Sequence, residues 1–308
     1  MYSIKGFSRL ALKIVISTFF ATVLAFLSID NLPGDSATVL SGITGDVQVL
    51  REQMGLNVPV LERYVSWILS ALSGDLGQSV IYDMPVADIV AQRLAITMPL
   101  AIMSFILSSI FGVVFATLAV VYRGAYVSKI IGLMIAVFLA VPVVWLCLFF
   151  ILTLSVGVGY FPSGGYDSVN SYVLPVLALG LTQGAIFARY VIITLSGVEH
   201  KDFLHFARIK GATKMGAYIK HGLPAVAGSL LAIMGLQIGF LMTGVVVVER
   251  IFSMPGLGDL LYQSMIMRDI GVASSVIAVL VFVIICVNTL VDVLVYIATP
   301  VLRKGYNA

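Results

Sequence analysis

The chain has 308 residues, of which 60% are hydrophobic and 11% charged, and its mean hydropathy is +1.08. A soluble globular protein carries about 45–50% apolar and about 25% charged residues. The composition therefore excludes a water-soluble domain and predicts an all-α integral membrane protein. The net charge is only +3, so the placement of the charges is more informative than their sum.

Six apolar stretches are long enough to cross a bilayer, which takes about 20 residues per helix. They are residues 10–29, 95–121, 130–156, 172–195, 225–248 and 272–299. We interpret the first as a retained span, because its apolar run is too long for a signal peptide and no clear cleavage site follows it. The sequence thus predicts an N-terminus and first span over 1–29 and a five-helix core over 95–299.

The placement of Lys and Arg predicts the orientation. An even number of spans puts both termini on one side, and that side would carry most of the basic residues: Lys5, Arg9, Lys13, Arg123, Lys129, Lys201, Arg208, Lys210, Lys214, Lys220, Arg303 and Lys304. Cytoplasmic loops carry an excess of Lys and Arg. We therefore expect both termini, including the tail 300–308, to be cytoplasmic, and the acidic segment 30–94 to be external.

Two of the connecting segments contain patterns of their own. In the external segment, apolar residues between Pro59 and Gly74 recur at helical spacing and predict a helix there. The cytoplasmic loop 196–224 mixes basic with apolar residues and is interrupted at Gly211 and Gly222. This pattern predicts short helices with an apolar face for a partner protein.

Motifs for catalysis or cofactor binding are missing from the sequence. It contains no Gly-x-x-x-x-Gly-Lys-Ser/Thr loop for ATP and no His-Glu-x-x-His zinc helix. We therefore expect no catalytic, cofactor or metal site. Arg189 and Asp292 are charged residues deep in the apolar stretches, and we interpret them as a snorkelling cation and a structural hydrogen-bonding group.

The cytoplasmic loop resembles a known family motif. Residues 207–212 read Ala-Arg-Ile-Lys-Gly-Ala and are followed by Leu223-Pro224. This is similar to the "EAA" loop of ATP-binding-cassette (ABC) importer permeases, whose pattern is Glu-Ala-Ala, three residues, Gly, nine residues, Ile, one residue, Leu-Pro. The spacing from Gly211 to Leu223-Pro224 matches, and the departures are His205, Phe206 and His221.

Further motifs, in order along nearly the whole chain, resemble the dipeptide/oligopeptide/nickel branch of that family. They are Asn-Leu-Pro-Gly-Asp at 31–35, Leu-Arg-Glu-Gln-Met-Gly-Leu at 50–56, Ser-Gly-Asp-Leu-Gly at 73–77, Pro-Ser-Gly-Gly-Tyr at 162–166, Val-Val-Val-Glu at 246–249, Phe-Ser-Met-Pro-Gly-Leu-Gly at 252–258 and Arg268-Asp269.

The resemblance implies a type I ABC importer permease fold with six transmembrane helices in the bacterial inner membrane. It implies a non-catalytic subunit of an ATP-driven importer for di- and oligopeptides, surrounded by lipid and without nucleic acid. The implied partners are a second, homologous permease, ABC ATPase subunits that bind ATP and magnesium, and an extracytoplasmic solute-binding protein. The implied ATPase-docking residues are Ala207, Arg208, Lys210, Gly211, Ala212, Leu223 and Pro224.

Span five is our expectation for the translocation path, because it combines polar with adaptable apolar side chains: Met234, Gln237, Phe240, Leu241 and Thr243. Nickel, glutathione or another small solute stays open as an alternative cargo. An ion-coupled secondary transporter is the alternative from a different class, but such proteins show intramembrane acids and often inverted repeats. A membrane-embedded hydrolase would need a polar catalytic set at membrane depth, which the sequence does not indicate.

Overall fold

The computed structural model describes residues 4–30, 36–44, 47–53, 57–79 and 81–298. The expected cytoplasmic tail 300–308 and the motif at 31–35 lie outside the described residues, as does the side chain of Asp292. The chain divides into two compact units. Unit 1 contains the residues up to Met98 together with Ser253–Ile285, and unit 2 contains Pro99–Phe252 together with the residues from Cys286 onward.

Unit 1 consists of helices and one short hairpin. Its elements are α1 (Ile4–Asp30), α2 (Ser36–Thr44), α3 (Val47–Gln53), α4 (Val60–Leu72), β1 (Gln78–Ser79), β2 (Met84–Pro85), the start of α5 (Val86–Val121), α12 (Leu257–Met267) and most of α13 (Ile270–Ala298). The two strands pair in antiparallel fashion, with Gln78 opposite Pro85. The helix expected between Pro59 and Gly74 is confirmed as α4, and Gly74 turns the chain after it at φ +90°.

Polar contacts fix α12 within unit 1. A guanidinium nitrogen of Arg93 donates to the carbonyl of Pro255 at 3.0 Å, just before α12 begins. The backbone N–H of Leu257, the first residue of α12, donates to the hydroxyl of Thr97 at 2.8 Å. The second contact satisfies one of the backbone N–H groups that the start of a helix leaves without partners.

Asp269 caps the start of α13. Its carboxylate accepts hydrogen bonds from the backbone N–H of Val272 at 3.1 Å and from the hydroxyl of Ser79 at 2.9 Å. Burial raises the pKa of this carboxyl above its ordinary value, and the two hydrogen bonds oppose that shift. The contact ties the hairpin to the first turn of α13.

Unit 2 contains the rest of α5 and the elements that follow it. These are α6 (Tyr126–Ala140), α7 (Val143–Phe150), a π-helical segment (Ile151–Gly157), a 3-10 turn (Val169–Tyr172), α8 (Val173–Gly197), α9 (Asp202–Ile209), α10 (Lys214–Ala217), a second π-helical segment (Tyr218–Gly222) and α11 (Leu223–Ile251). Helix α8 packs against α6, α7 and α11 and forms the centre of this unit.

Glycines allow the helices of unit 2 to approach closely. A Cβ atom at Gly184 of α8 would lie 2.9 Å from Phe111 Cδ1 of α5. A Cβ atom at Gly244 of α11 would lie 2.6 Å from Leu179 Cδ1 of α8. Small residues at helix contacts are typical of membrane proteins, where close packing rather than burial from water holds helices together.

The stretch 130–156, expected as one span, is two helical pieces bent by 103° at Val141 and Pro142. Proline has no N–H to donate and its ring crowds the preceding turn, so the helix ends and a new one starts. In the part of the chain that the structure describes, four helices are long and apolar enough to cross a membrane, or five if the bent pair counts as one span.

Candidate functional site

The loop between α8 and α11 folds into two short helices and a π-helical segment. Helix α9 ends in a sharp turn at Lys210 and Gly211, and α10 follows after Thr213. The Thr213 hydroxyl accepts a hydrogen bond from the backbone N–H of Gly216 at 3.1 Å, which caps the start of α10. The short helices that the sequence predicted for this loop are therefore confirmed.

Gly211 closes α9 with a Schellman motif. Its own N–H donates to the carbonyl of Arg208 at 3.0 Å, and the next N–H, of Ala212, donates to the carbonyl of Ala207 at 3.1 Å. Gly211 has φ +90°, in the left-handed region where a residue without Cβ is favoured. A Cβ atom at Gly211 would meet nothing within 4 Å inside the chain, so the backbone angle rather than crowding selects glycine here.

The loop continues directly into α11. Gly222 precedes this helix, and Pro224 lies in its first turn, where proline is tolerated. The π-helical segment and α11 form one continuous helical stretch.

One face of the loop is buried in the hydrophobic core of unit 2. The loop residues on this face are Leu204, Ala207, Ala217 and Tyr218. They belong to the same cluster as Phe187, Val191 and Leu195 of α8 and Val226 and Leu230 of α11. The loop is therefore part of the folded bundle and is not a solvated tether.

The opposite face of the loop is apolar, basic and exposed. On α9, Phe206 is 60% and Ile209 is 67% exposed, and Phe203 and Ile219 are exposed as well. Basic side chains that are also exposed surround them: Lys201, His205, Arg208, Lys210, Lys220 and His221. The helical spacing of Phe203, Phe206 and Ile209 is the sequence signal for this face.

The structure distributes the expected docking residues over both faces. Arg208, Lys210, Gly211 and Pro224 are exposed, Ala212 and Leu223 are half-buried, and Ala207 is buried in the core. Ala207 therefore shapes the loop from within. The large exposed apolar side chains, which were not among the expected docking residues, offer more contact area than the alanines.

An ion pair that sequence reasoning missed holds the beginning of the loop. The guanidinium of Arg123, in the turn between α5 and α6, donates to the carboxylate of Glu199 and to the hydroxyl of Ser196. The Arg123 side chain is half-exposed, so the pair contributes little to stability, about 0–1 kcal/mol. Its effect is to position the loop relative to the α5–α6 turn.

The expected path residues of α11 separate into two groups. Phe240 and Thr243 lie on an exposed face, whereas Gln237 and Leu241 are buried in unit 2 and Met234 is half-buried. The side-chain amide of Gln237 donates to the backbone carbonyl of Gln183 on α8 at 2.8 Å. In this structure Gln237 therefore links two helices and does not border an open surface.

Among the described residues, no group of three or more His, Cys, Asp and Glu side chains comes close enough to hold a metal ion. The three histidines lie in the loop, and His205 and His221 are exposed on its surface. The site is an exposed apolar and basic surface packed onto a helical bundle.

Comparison with known proteins identifies the family. The family described as "Binding-protein-dependent transport system inner membrane component" matches residues 108–304. The glutathione transport system permease protein GsiC of Shigella flexneri serotype 5b (strain 8401) and that of Escherichia coli (strain K12) are each 35% identical to this chain over 295 residues, which is 95% of this chain and 96% of theirs. The chain belongs to this permease family.

The fold agrees with that assignment. An inward-facing structure of the MetNI methionine ABC transporter covers 68% of this chain and 96% of its own, with a TM-score of 0.57 and 20% identity. A second crystal form gives a TM-score of 0.56 and 22% identity. The protein is thus a multi-pass ABC importer permease of the peptide/nickel branch, with a helical fold like that of type I ABC permeases, and the resemblance inferred from its motifs is confirmed.

The Schellman motif makes a testable prediction about Gly211. Valine is strained at φ +90°, by about 1–2 kcal/mol, whereas asparagine tolerates the left-handed region. We expect Gly211→Val to loosen the turn and speed tryptic cleavage after Lys210 in the purified permease, and Gly211→Asn to be cleaved at the wild-type rate.

Equal cleavage rates for the two variants would contradict the role of the backbone angle. The same pair also tests whether a partner backbone approaches Gly211 closely. If Gly211→Asn keeps the turn but no longer co-purifies with the ATPase subunits, the space outside the glycine is needed as well.

Proposed function

We propose that this permease forms half of a translocation path and that separate ATPase subunits drive it through the 196–224 loop. The observation that carries the proposal is the two-sided loop, whose buried face belongs to the core of α8 and α11 while its exposed face presents Phe206 and Ile209. A partner that binds the exposed face can therefore move both long helices.

The exposed face has the chemistry of a docking surface. Burying a large apolar side chain at an interface contributes about 1.5–3 kcal/mol. Phe206 and Ile209 are mostly exposed in the isolated chain, so their burial against an ATPase subunit would supply a substantial part of the binding free energy. The surrounding cations favour an acidic rim on the partner.

A second, homologous permease completes the path. The exposed face of α11 supports this step, because it carries Leu236, Phe240 and Thr243 and the open position Gly239, where a Cβ atom would meet nothing within 4 Å. A helix from another permease could approach this face closely. Phe240 and Thr243 stay our path candidates, and an extracytoplasmic solute-binding protein delivers the cargo.

Six spans with both termini in the cytoplasm complete the proposed topology. The additional span is α1, whose 27 residues would be about 40 Å long at the rise of an α-helix. The excess of Lys and Arg on the side of the 196–224 loop supports the orientation. The domain limits expected from the sequence, with 30–94 external and 95–299 as the core, follow from this topology.

The chain itself performs no covalent chemistry in this proposal. ATP and magnesium bind to the partner subunits, and the permease converts their closure into alternating access by rigid-body movement of its helices. The absence of a P-loop from the sequence supports the assignment of ATP binding to the partner subunits.

We propose a cargo from the peptide class. The motifs of the chain indicate the dipeptide/oligopeptide/nickel branch, and relatives at 35% identity are named as glutathione permeases. Glutathione is itself a tripeptide, so both observations point to a small solute with peptide bonds and terminal charges.

The docking surface can be tested by charge insertion. Phe206→Glu places a carboxylate where the proposal needs an apolar contact, and we expect recovery of the ATPase subunits with the permease to fall about tenfold or more. The matched control is Tyr126→Glu, which changes an exposed aromatic residue at the start of α6 in the same unit and should leave recovery unchanged. Wild-type recovery with Phe206→Glu would contradict docking through this face.

The cargo and the energy source are tested together by uptake into proteoliposomes that hold the full complex and its solute-binding protein. We expect labelled glutathione or dipeptide to accumulate only with ATP, and each to compete with the other if one peptide-class path serves both. Uptake driven by a proton or sodium gradient without ATP would favour the secondary-transporter alternative. Nickel uptake that neither peptide inhibits would contradict the proposed cargo.

A further inference from the structure

Helix α4 lies in the connection between α1 and α5, which the sequence places outside the membrane. Its contacts with α1 are extensive and specific. The Tyr64 hydroxyl is hydrogen-bonded to the Thr22 hydroxyl at 3.0 Å, and the Tyr64 ring packs edge-on against Phe26 with 5.1 Å between centroids. The rings of Phe19 and Trp67 extend the same cluster.

These contacts give the depth of α4. The apolar run of α1 ends at Ile29, and a helix rises 1.5 Å per residue. Phe26, Thr22 and Phe19 therefore lie about 5, 10 and 15 Å below the end of that run. If α1 crosses the bilayer, part of α4 lies at the depth of the lipid tails.

Helix α4 also has an exposed apolar face. Leu61, Val65, Leu69 and Leu72 follow one another at i, i+4, i+8 and i+11, and Leu61 and Leu72 are 73% and 81% exposed. The polar side chains fall on a separate arc: Glu62, Ser66, Ser70 and Ser73. A helix with one arc on a neighbour, one exposed apolar arc and one polar arc has the pattern of a helix at a membrane surface.

We infer that α4 is partly inserted into the lipid on the side of the membrane where α1 ends, with Leu61, Val65, Leu69 and Leu72 facing the acyl chains. The inference rests on the proposed assignment of α1 as a membrane span. It changes the picture of the 30–94 segment, because one of its helices becomes part of the membrane-embedded surface.

Lipid fits this face better than a protein partner does. A soluble solute-binding protein cannot reach side chains that lie below the end of an apolar span. A helix of a second permease would favour small residues at its contact, whereas the exposed arc consists of Leu and Val. The ring pair of Tyr64 and Trp67 is typical of the zone between headgroups and acyl chains.

The attachment is apolar rather than electrostatic. Interfacial helices that bind anionic lipids are rich in Lys and Arg, but α4 carries one acidic and one basic residue, Glu62 and Arg63. We therefore expect its position to be the same in zwitterionic and in anionic bilayers.

The test uses nitroxide labels on the assembled transporter in lipid nanodiscs. Single cysteines are placed by Leu69→Cys and Ser66→Cys in a permease with Cys147→Ala and Cys286→Ala, and power saturation measures collisions with oxygen and with nickel-EDDA. Oxygen concentrates in acyl chains, whereas nickel-EDDA stays in water. We expect the oxygen-to-nickel collision ratio to be several-fold higher at Leu69 than at the matched site Ser66, in phosphatidylcholine and in phosphatidylglycerol discs alike.

Three results would overturn the inference. A label at Leu69 that collides mainly with nickel-EDDA would place the face in water, and a label shielded from both reagents would place it against protein. A high oxygen ratio that appears only in phosphatidylglycerol discs would make the attachment electrostatic. A reference label at Leu24→Cys on α1 separates failure of this inference from failure of the proposed topology. If that label collides mainly with nickel-EDDA, α1 is not a membrane span. If it collides mainly with oxygen while the label at Leu69 is in water, α1 is a span and only the insertion of α4 is wrong.

Discussion

The close packing of α8 against α11 is the contact on which the proposed function of unit 2 depends. Gly244 lets the side chain of Leu179 approach the backbone of α11, and the amide of Gln237 donates to the Gln183 carbonyl across the same pair of helices. The 196–224 loop joins these two helices and shares their hydrophobic core. Because packed cores are poorly compressible, the proposed mechanism has a push on the loop move the pair as a body. A flexible, solvated loop would instead bend under the same push, and the two helices would not move with it.

The sequence predicted the loop well because its geometry is encoded locally. A glycine placed after an amphipathic stretch specifies a helix end, and the expected start of span five at residue 225 lies two residues after the observed start of α11 at Leu223. The ends of α4 were predictable for the same reason, from Pro59 and Gly74. These features depend on residues within a few positions of one another, so one sequence is enough to find them.

Other features depend on contacts that one sequence does not reveal. Arg123 and Glu199 are distant in the chain, and no spacing rule joins them. Pro142 indicates that the third apolar stretch does not form a straight helix. The same local sequence, however, is compatible with a mild kink and with a bend of 103°. The path residues were chosen from the chemistry of α11 alone, whereas only one face of a helix can border a path. That choice therefore included Gln237 and Leu241, which the bundle buries.

The central claim is that the loop and the helix bundle of unit 2 move together when the ATPase subunits close. Double electron–electron resonance on the full transporter tests it most directly, with nitroxide labels introduced by Lys210→Cys in the loop and Tyr126→Cys at the start of α6, both exposed and both in unit 2. The account predicts the same distance distribution within one permease in the nucleotide-free and ATP-trapped states, while the distance from Lys210→Cys to a label on the second permease changes. A shift of the distribution within the single permease would contradict rigid coupling.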